Sequence, residues 1–220
     1  MDILDWVEFG KVSAERDDNL SSYFYDNGVI RSAIESPAAF LVLGRKGAGK
    51  TALFKYLDEN RNDFLSEADI LLPQSFEDYN WNIHTILADE TKAASMVYKQ
   101  SWKFVIYAET IHALVEYYVR INAEQPVKIK NAAKMLEKLF DTPTPSIYQI
   151  MGRKLLQLSK LKLPSAGLDL ESTDLESISV DAGEVTFEGV KTDLGLKQRL
   201  TENISNITKI LEDALESSSD

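Results

Sequence analysis

Apolar residues along this chain change their spacing several times, and each change marks an element. Phe40-Leu41-Val42-Leu43 is an uninterrupted, β-prone run after Pro37, and Ala68-Asp69-Ile70-Leu71-Leu72 before Pro73 is a second short strand signal. Short apolar runs without alternation fit strands covered on both faces. From 92 to 122 the period becomes helical: Val97, Phe104, Ala108, Ile111, Val115 and Tyr118 recur at intervals of three, four or seven, and Trp102 and Val105 widen the stripe. Shorter helices are expected at 131–140 and 146–163, parted by Asp141-Thr142-Pro143-Thr144-Pro145 with Ser146 as a cap. Ile178, Val180, Gly183, Val185, Phe187 and Val190 read as a small hairpin within 177–190. The last element is an amphipathic helix on Leu196, Leu200, Ile204, Ile207, Leu211 and Leu215. Upstream, residues 13–36 form a helical lead-in carrying Tyr23, Phe24 and Tyr25, then Val29, Ile30 and Ile34.

Between the first strand signal and the helix-forming stretch Ala52-Leu53-Phe54-Lys55-Tyr56-Leu57 lies Gly44-Arg45-Lys46-Gly47-Ala48-Gly49-Lys50-Thr51, which satisfies G-x-x-x-x-G-K-[ST] at every fixed position. Each residue type has a physical reason. A polyphosphate carries several negative charges, and many backbone N–H groups approach it closely only where side chains are absent, hence Gly44, Gly47 and Gly49. Those N–H groups form an anion-binding concavity, and the helix that follows adds the positive end of its dipole. Lys50 is then expected on the β- and γ-phosphates, and the Thr51 hydroxyl on Mg²⁺. Arg45, Lys46 and Ala48 occupy the free positions, the first two thickening the positive field. The bland alternative is a glycine-rich turn with a solvated lysine, which requires neither the Lys-Thr pair nor three glycines in six residues.

Composition adds limits. The 220 residues are 44% hydrophobic, enough for a sizeable core. There is no cysteine, which excludes disulfides and thiolate chemistry, and His84 and His112 stand apart without a carboxylate cluster, so no zinc site is expected. The N-terminus Met1-Asp2-Ile3-Leu4-Asp5-Trp6 is acidic where a signal peptide is basic, and no run reaches the ~18 apolar residues of a membrane helix; the expected compartment is the cytoplasm, with no membrane partner. The net charge of −11 argues against indiscriminate nucleic-acid binding. It is uneven, because Lys99, Lys103, Arg120, Lys128, Lys130, Lys134, Lys138, Arg153, Lys154, Lys160 and Lys162 fall in one block between acidic flanks.

From Tyr23 through Leu57, and above all over residues 40–53, the chain resembles the opening of bacterial P-loop ATPases of the AAA and STAND-like group, often found in signalling or phage-defence proteins. The resemblance implies an α/β P-loop core with a parallel sheet, here incomplete, and a large helical insertion, to which the small hairpin read above is added. It divides the chain into a nucleotide-binding core at 1–91, an insertion at 92–176, and a hairpin with amphipathic helix at 177–220. ATP with Mg²⁺ is the implied ligand, and no N-K-x-D guanine-reading segment is present. In many such proteins the base packs just before the first strand, where Tyr23, Phe24 and Tyr25 stand. The acid that normally ends a second buried strand has no match: Glu109 sits inside the long helical pattern, Asp181 ends an alternating stretch, and Ile70-Leu71-Leu72 runs into Pro73-Gln74. The chain is therefore expected to be the N-terminal portion of a longer ATPase, which binds Mg-ATP and couples it to a conformational or assembly change, with a protein partner or self-association. The rival readings are a nucleotide-regulated nucleic-acid module using the basic block and a protein-interaction domain with a vestigial loop.

Overall fold

The computed structural model describes residues 14–36, 42–74, 81, 84, 94–142, 150, 152–162, 170, 178–181, 183 and 185–217. The chain divides after Gln74 into two compact units.

In the first unit a 3₁₀ turn, Ala14–Arg16, leads into α1 (Leu20–Tyr23), α2 (Val29–Glu35), α3 (Lys50–Glu59) and α4 (Arg61–Phe64). The expected helical lead-in is thus broken into short pieces. Gly28, with φ +84°, supplies the left-handed turn between α1 and α2. Tyr56 of α3 stacks on Phe24 with ring centroids 4.4 Å apart and meets the edge of Phe64 at 6.0 Å. Leu20 and Ile30 are the buried apolar side chains of this unit among the described residues.

The second unit is helical and carries the larger core. α5 (Ala94–Arg120), α6 (Val127–Phe140) and α9 (Leu194–Glu216) are its long elements, with α7 (Arg153–Gln157) and α8 (Phe187–Thr192) between them. Their apolar stripes interlock: Phe104, Ala108 and Ile111 from α5, Ile129, Ala132, Leu136 and Leu139 from α6, and Leu200, Ile204, Ile207 and Leu211 from α9 are all buried in one cluster. The steps of three and four place each set on one side of its helix. The expected helices at 92–122 and in the C-terminal segment are therefore present, while the 131–140 helix begins earlier, at Val127. Asp141, at φ +57°, ends α6 in the left-handed region. Of the helix expected at 146–163, residues 146–149, 151 and 163 lie outside the described residues, and 153–162 are α7, a 3₁₀ turn, Leu158–Lys160, and the start of the sheet in place of one continuous helix.

The α/β expectation is overturned. The sheet among the described residues has two strands of two residues, β1 (Leu161–Lys162) and β2 (Ser179–Val180), antiparallel with Leu161 opposite Val180. Of the two strand signals, Phe40 and Leu41 lie outside the described residues, and residues 42–45 and 68–74 form no strand. A parallel strand is covered on both faces, yet Val42, Leu43, Ile70 and Leu72 are exposed, Leu43 by 81%. The hairpin within 177–190 is also corrected. Val180 pairs upstream with Leu161, and residues from Phe187 onward turn into α8, whose cap is the Thr186 hydroxyl accepting the Gly189 N–H at 3.1 Å. Among the described residues no helix is long and apolar enough to cross a membrane.

Candidate phosphate-binding loop

The motif Gly44–Thr51 is a turn that opens directly into α3. The Ala48 N–H donates to the Arg45 carbonyl oxygen at 3.1 Å, and the Leu53 N–H donates to the Gly49 carbonyl oxygen at 2.8 Å as the first helical bond. Gly47 (φ +84°) and Gly49 (φ +78°) both adopt the left-handed conformation that side chains resist, with Gly49 as the helix cap. Gly44 is required for a different reason: a Cβ there would stand 3.0 Å from the Ala48 Cβ and 3.6 Å from the Lys50 Cγ.

The Lys50 side chain bends back over this turn, and its Nζ donates to the carbonyl oxygens of Gly44 at 2.7 Å and Arg45 at 3.1 Å. Its charge is thereby held above the loop. The first N–H groups of an α-helix have no intrahelical acceptor, and no side chain among the described residues caps α3, so the N–H groups of Lys50, Thr51 and Ala52 stand available at the positive end of the helix dipole. Every residue from Val42 to Thr51 is exposed, which leaves Arg45, Lys46 and the Thr51 hydroxyl open to solvent. The donor set fits a polyphosphate. For Mg²⁺ the loop offers Thr51 alone, and among the described residues no cluster of three acidic or histidine side chains is placed to hold a metal.

All eight residues of the motif are thus brought together. The aromatics of the lead-in take separate roles: Phe24 is covered by Tyr56, the Tyr23 hydroxyl donates to Asp17 Oδ2, and Tyr25 is 84% exposed. The two acid candidates lie in the second unit. Glu109 is on α5, and Asp181 pairs with Lys162 at 2.9 Å.

The basic block is dispersed over several elements. Lys103 Nζ contacts Glu212 Oε1 at 2.6 Å, Lys154 pairs with Asp141, and Lys162 with Asp181, while Lys130 and Lys134 lie exposed on α6. Tyr117 packs edge-on against Tyr118 at 5.7 Å and lies under the Arg120 guanidinium at 5.4 Å.

Sequence reasoning missed the supports of α3. Asp17, 3% exposed, accepts the Asn19 N–H through Oδ1 at 3.1 Å, and its backbone oxygen accepts a hydrogen bond from Lys55 Nζ. Asp17 two residues ahead of Asn19 carries a local Asx-turn signal, whereas nothing local joins Asp17 to Lys55.

Comparison with protein-family models, with curated proteins and with solved structures finds no match to this chain.

Proposed function

We propose that this protein binds a nucleoside triphosphate, ATP with Mg²⁺, at Gly44–Thr51, and that occupancy is coupled to a change of conformation or assembly. The observation that carries this reading is the Lys50 ammonium folded back onto the Gly44 and Arg45 carbonyl oxygens, above a turn whose Gly47 and Gly49 are left-handed. A lone solvated lysine would extend into water, since ordering a lysine side chain costs up to about 2 kcal/mol. Here it is pinned where a phosphate cradled by the loop N–H groups would meet it.

When bound, Mg²⁺ would neutralise phosphate charge, with Thr51 as its protein ligand. The chain's own contribution is to present N–H groups, a fixed ammonium and the helix dipole. Phosphoryl transfer requires in addition a group that orients the attacking water, and neither Glu109 nor Asp181 is assigned that role, so the proposal is binding and not rapid hydrolysis.

The test is displacement of a fluorescent ATP analogue by a ligand series. ATP, ADP and inorganic tripolyphosphate should compete, and adenosine should not, because the recognition lies in the phosphates. Equal competition by adenosine, or no binding of the analogue at millimolar concentration, would contradict the reading.

A further inference from the structure

The helix that presents Lys50 and Thr51 has no buried side chain. Apolar burial, which fixes most helices in place, is therefore weak here, and the placement of α3 falls to specific contacts on one face. Lys55 Nζ donates to the Asp17 carbonyl oxygen, Tyr56 stacks on Phe24, and Glu59 accepts a hydrogen bond from the Ser21 hydroxyl. Asn60 Nδ2 donates to the Tyr56 carbonyl oxygen at 2.8 Å and to Ser21 Oγ at 3.5 Å. Apart from the Tyr56 carbonyl oxygen, which belongs to α3 itself, these partners fall in one segment, Ala14–Phe24. Its centre is Asp17, whose carboxylate takes the Asn19 N–H on one oxygen and the Tyr23 hydroxyl on the other, so that its carbonyl oxygen is held toward Lys55.

We propose that Asp17 and Lys55 are positioning residues for the phosphate-binding loop, and that segment 14–24 is a clasp that sets the direction of α3 and with it Lys50 and Thr51. The inference rests on the phosphate reading of the loop for its functional half. Coupling between two sites is reciprocal: if the clasp favours the binding-ready loop, nucleotide must tighten the clasp.

Lys55→Met, Lys55→Arg, Asp17→Ala and Tyr23→Phe are compared with wild type by Mg-ATP titration and by hydrogen exchange of the ligand-free protein. Lys55→Met should weaken Mg-ATP binding by about tenfold or more, the scale of a lost hydrogen bond from a charged group, and should speed exchange of the Leu53 amide. Lys55→Arg, which can still donate to the carbonyl oxygen, should recover both, as a merely space-filling role would not. If Asp17→Ala fails to fold, Tyr23→Phe, which removes one arm of the clasp, should shift both readouts in the same direction. Unchanged affinity in Lys55→Met overturns the proposal, even if its exchange is faster. Should wild type itself bind no nucleotide, the phosphate reading fails, and the clasp is then decided by exchange alone: a faster Leu53 amide in Lys55→Met upholds it and an equal rate overturns it.

Discussion

Lys50 Nζ donates to the Gly44 carbonyl oxygen at 2.7 Å, so the first residue of α3 closes the loop that delivers it. Position matters as well as charge, since two carbonyl contacts, at 2.7 and 3.1 Å, fix the ammonium at one point of the turn. Charge alone is therefore not sufficient. Lys50→Arg keeps the charge but brings a planar, branched head group, and its Mg-ATP affinity, measured by titration, should fall by at least about tenfold (~1.4 kcal/mol).

Gly28 and Gly47 share φ +84°, and an added Cβ meets nothing within 4 Å at either. Alanine at each should therefore cost a similar conformational strain, roughly 1–2 kcal/mol. Their effects on function should separate. Gly47→Ala should weaken nucleotide binding as well as stability, whereas Gly28→Ala, outside the loop, should lower stability with little change in affinity. Denaturant titration and nucleotide titration on both variants check this.

His112 on α5 is 7% exposed, and its Nε2 has no hydrogen-bond partner among the described residues. Burial pushes its pKa down to about 4. The unfolded chain takes up a proton near 6.5 while the folded chain resists it, so this contribution is intact above about pH 6.5 and is lost as pH falls toward 4. The loss amounts to roughly 3 kcal/mol at the acid end. His84, also buried, is shifted in the same direction by desolvation. Denaturant midpoints at pH 7 and pH 4.5 should differ less in His112→Leu than in wild type.

Asn203 of α9 donates through Nδ2 to the carbonyl oxygens of Leu158 at 2.7 Å and Leu161 at 3.1 Å. One side chain thus satisfies two carbonyls where the 3₁₀ turn passes into β1, and Arg199 Nε reaches the Ser159 carbonyl oxygen beside them at 3.3 Å. Asn203→Leu should destabilise the second unit by roughly 1–3 kcal/mol, the cost of leaving such groups unpaired, with nucleotide affinity unaltered. Thermal unfolding followed by circular dichroism provides the measurement.

The long helices were legible because their period is written along the chain. Leu200, Ile204, Ile207 and Leu211 repeat every three or four residues, and only one face of α9 satisfies them. The sheet was not legible, because pairing is non-local and a short apolar run such as Ile70–Leu72 carries no period that separates strand from extended loop. In Val185–Val190 the apolar spacing suggested alternation, but the Thr186 hydroxyl reaching the Gly189 N–H starts a helix. The turn at Gly44–Thr51 was readable for the opposite reason: its geometry depends on eight consecutive residues. The hydrogen bond from Lys55 to the Asp17 carbonyl oxygen was not, since the two residues stand 38 positions apart.

The loop Gly44–Thr51 carries no acidic side chain to orient an attacking water, so steady-state phosphate release should stay below about 1 per minute, under the typical enzyme range. Faster release abolished by Glu109→Gln or Asp181→Ala would identify the acid.

Calorimetric titration of Mg-ATP into wild type and Lys50→Ala tests the central claim most directly. The account predicts saturable binding to wild type and a loss of roughly 1.5–3 kcal/mol in the variant, as for a hydrogen bond from a charged group, with both proteins folded alike. Equal affinity in the two, or no binding to either, would contradict it.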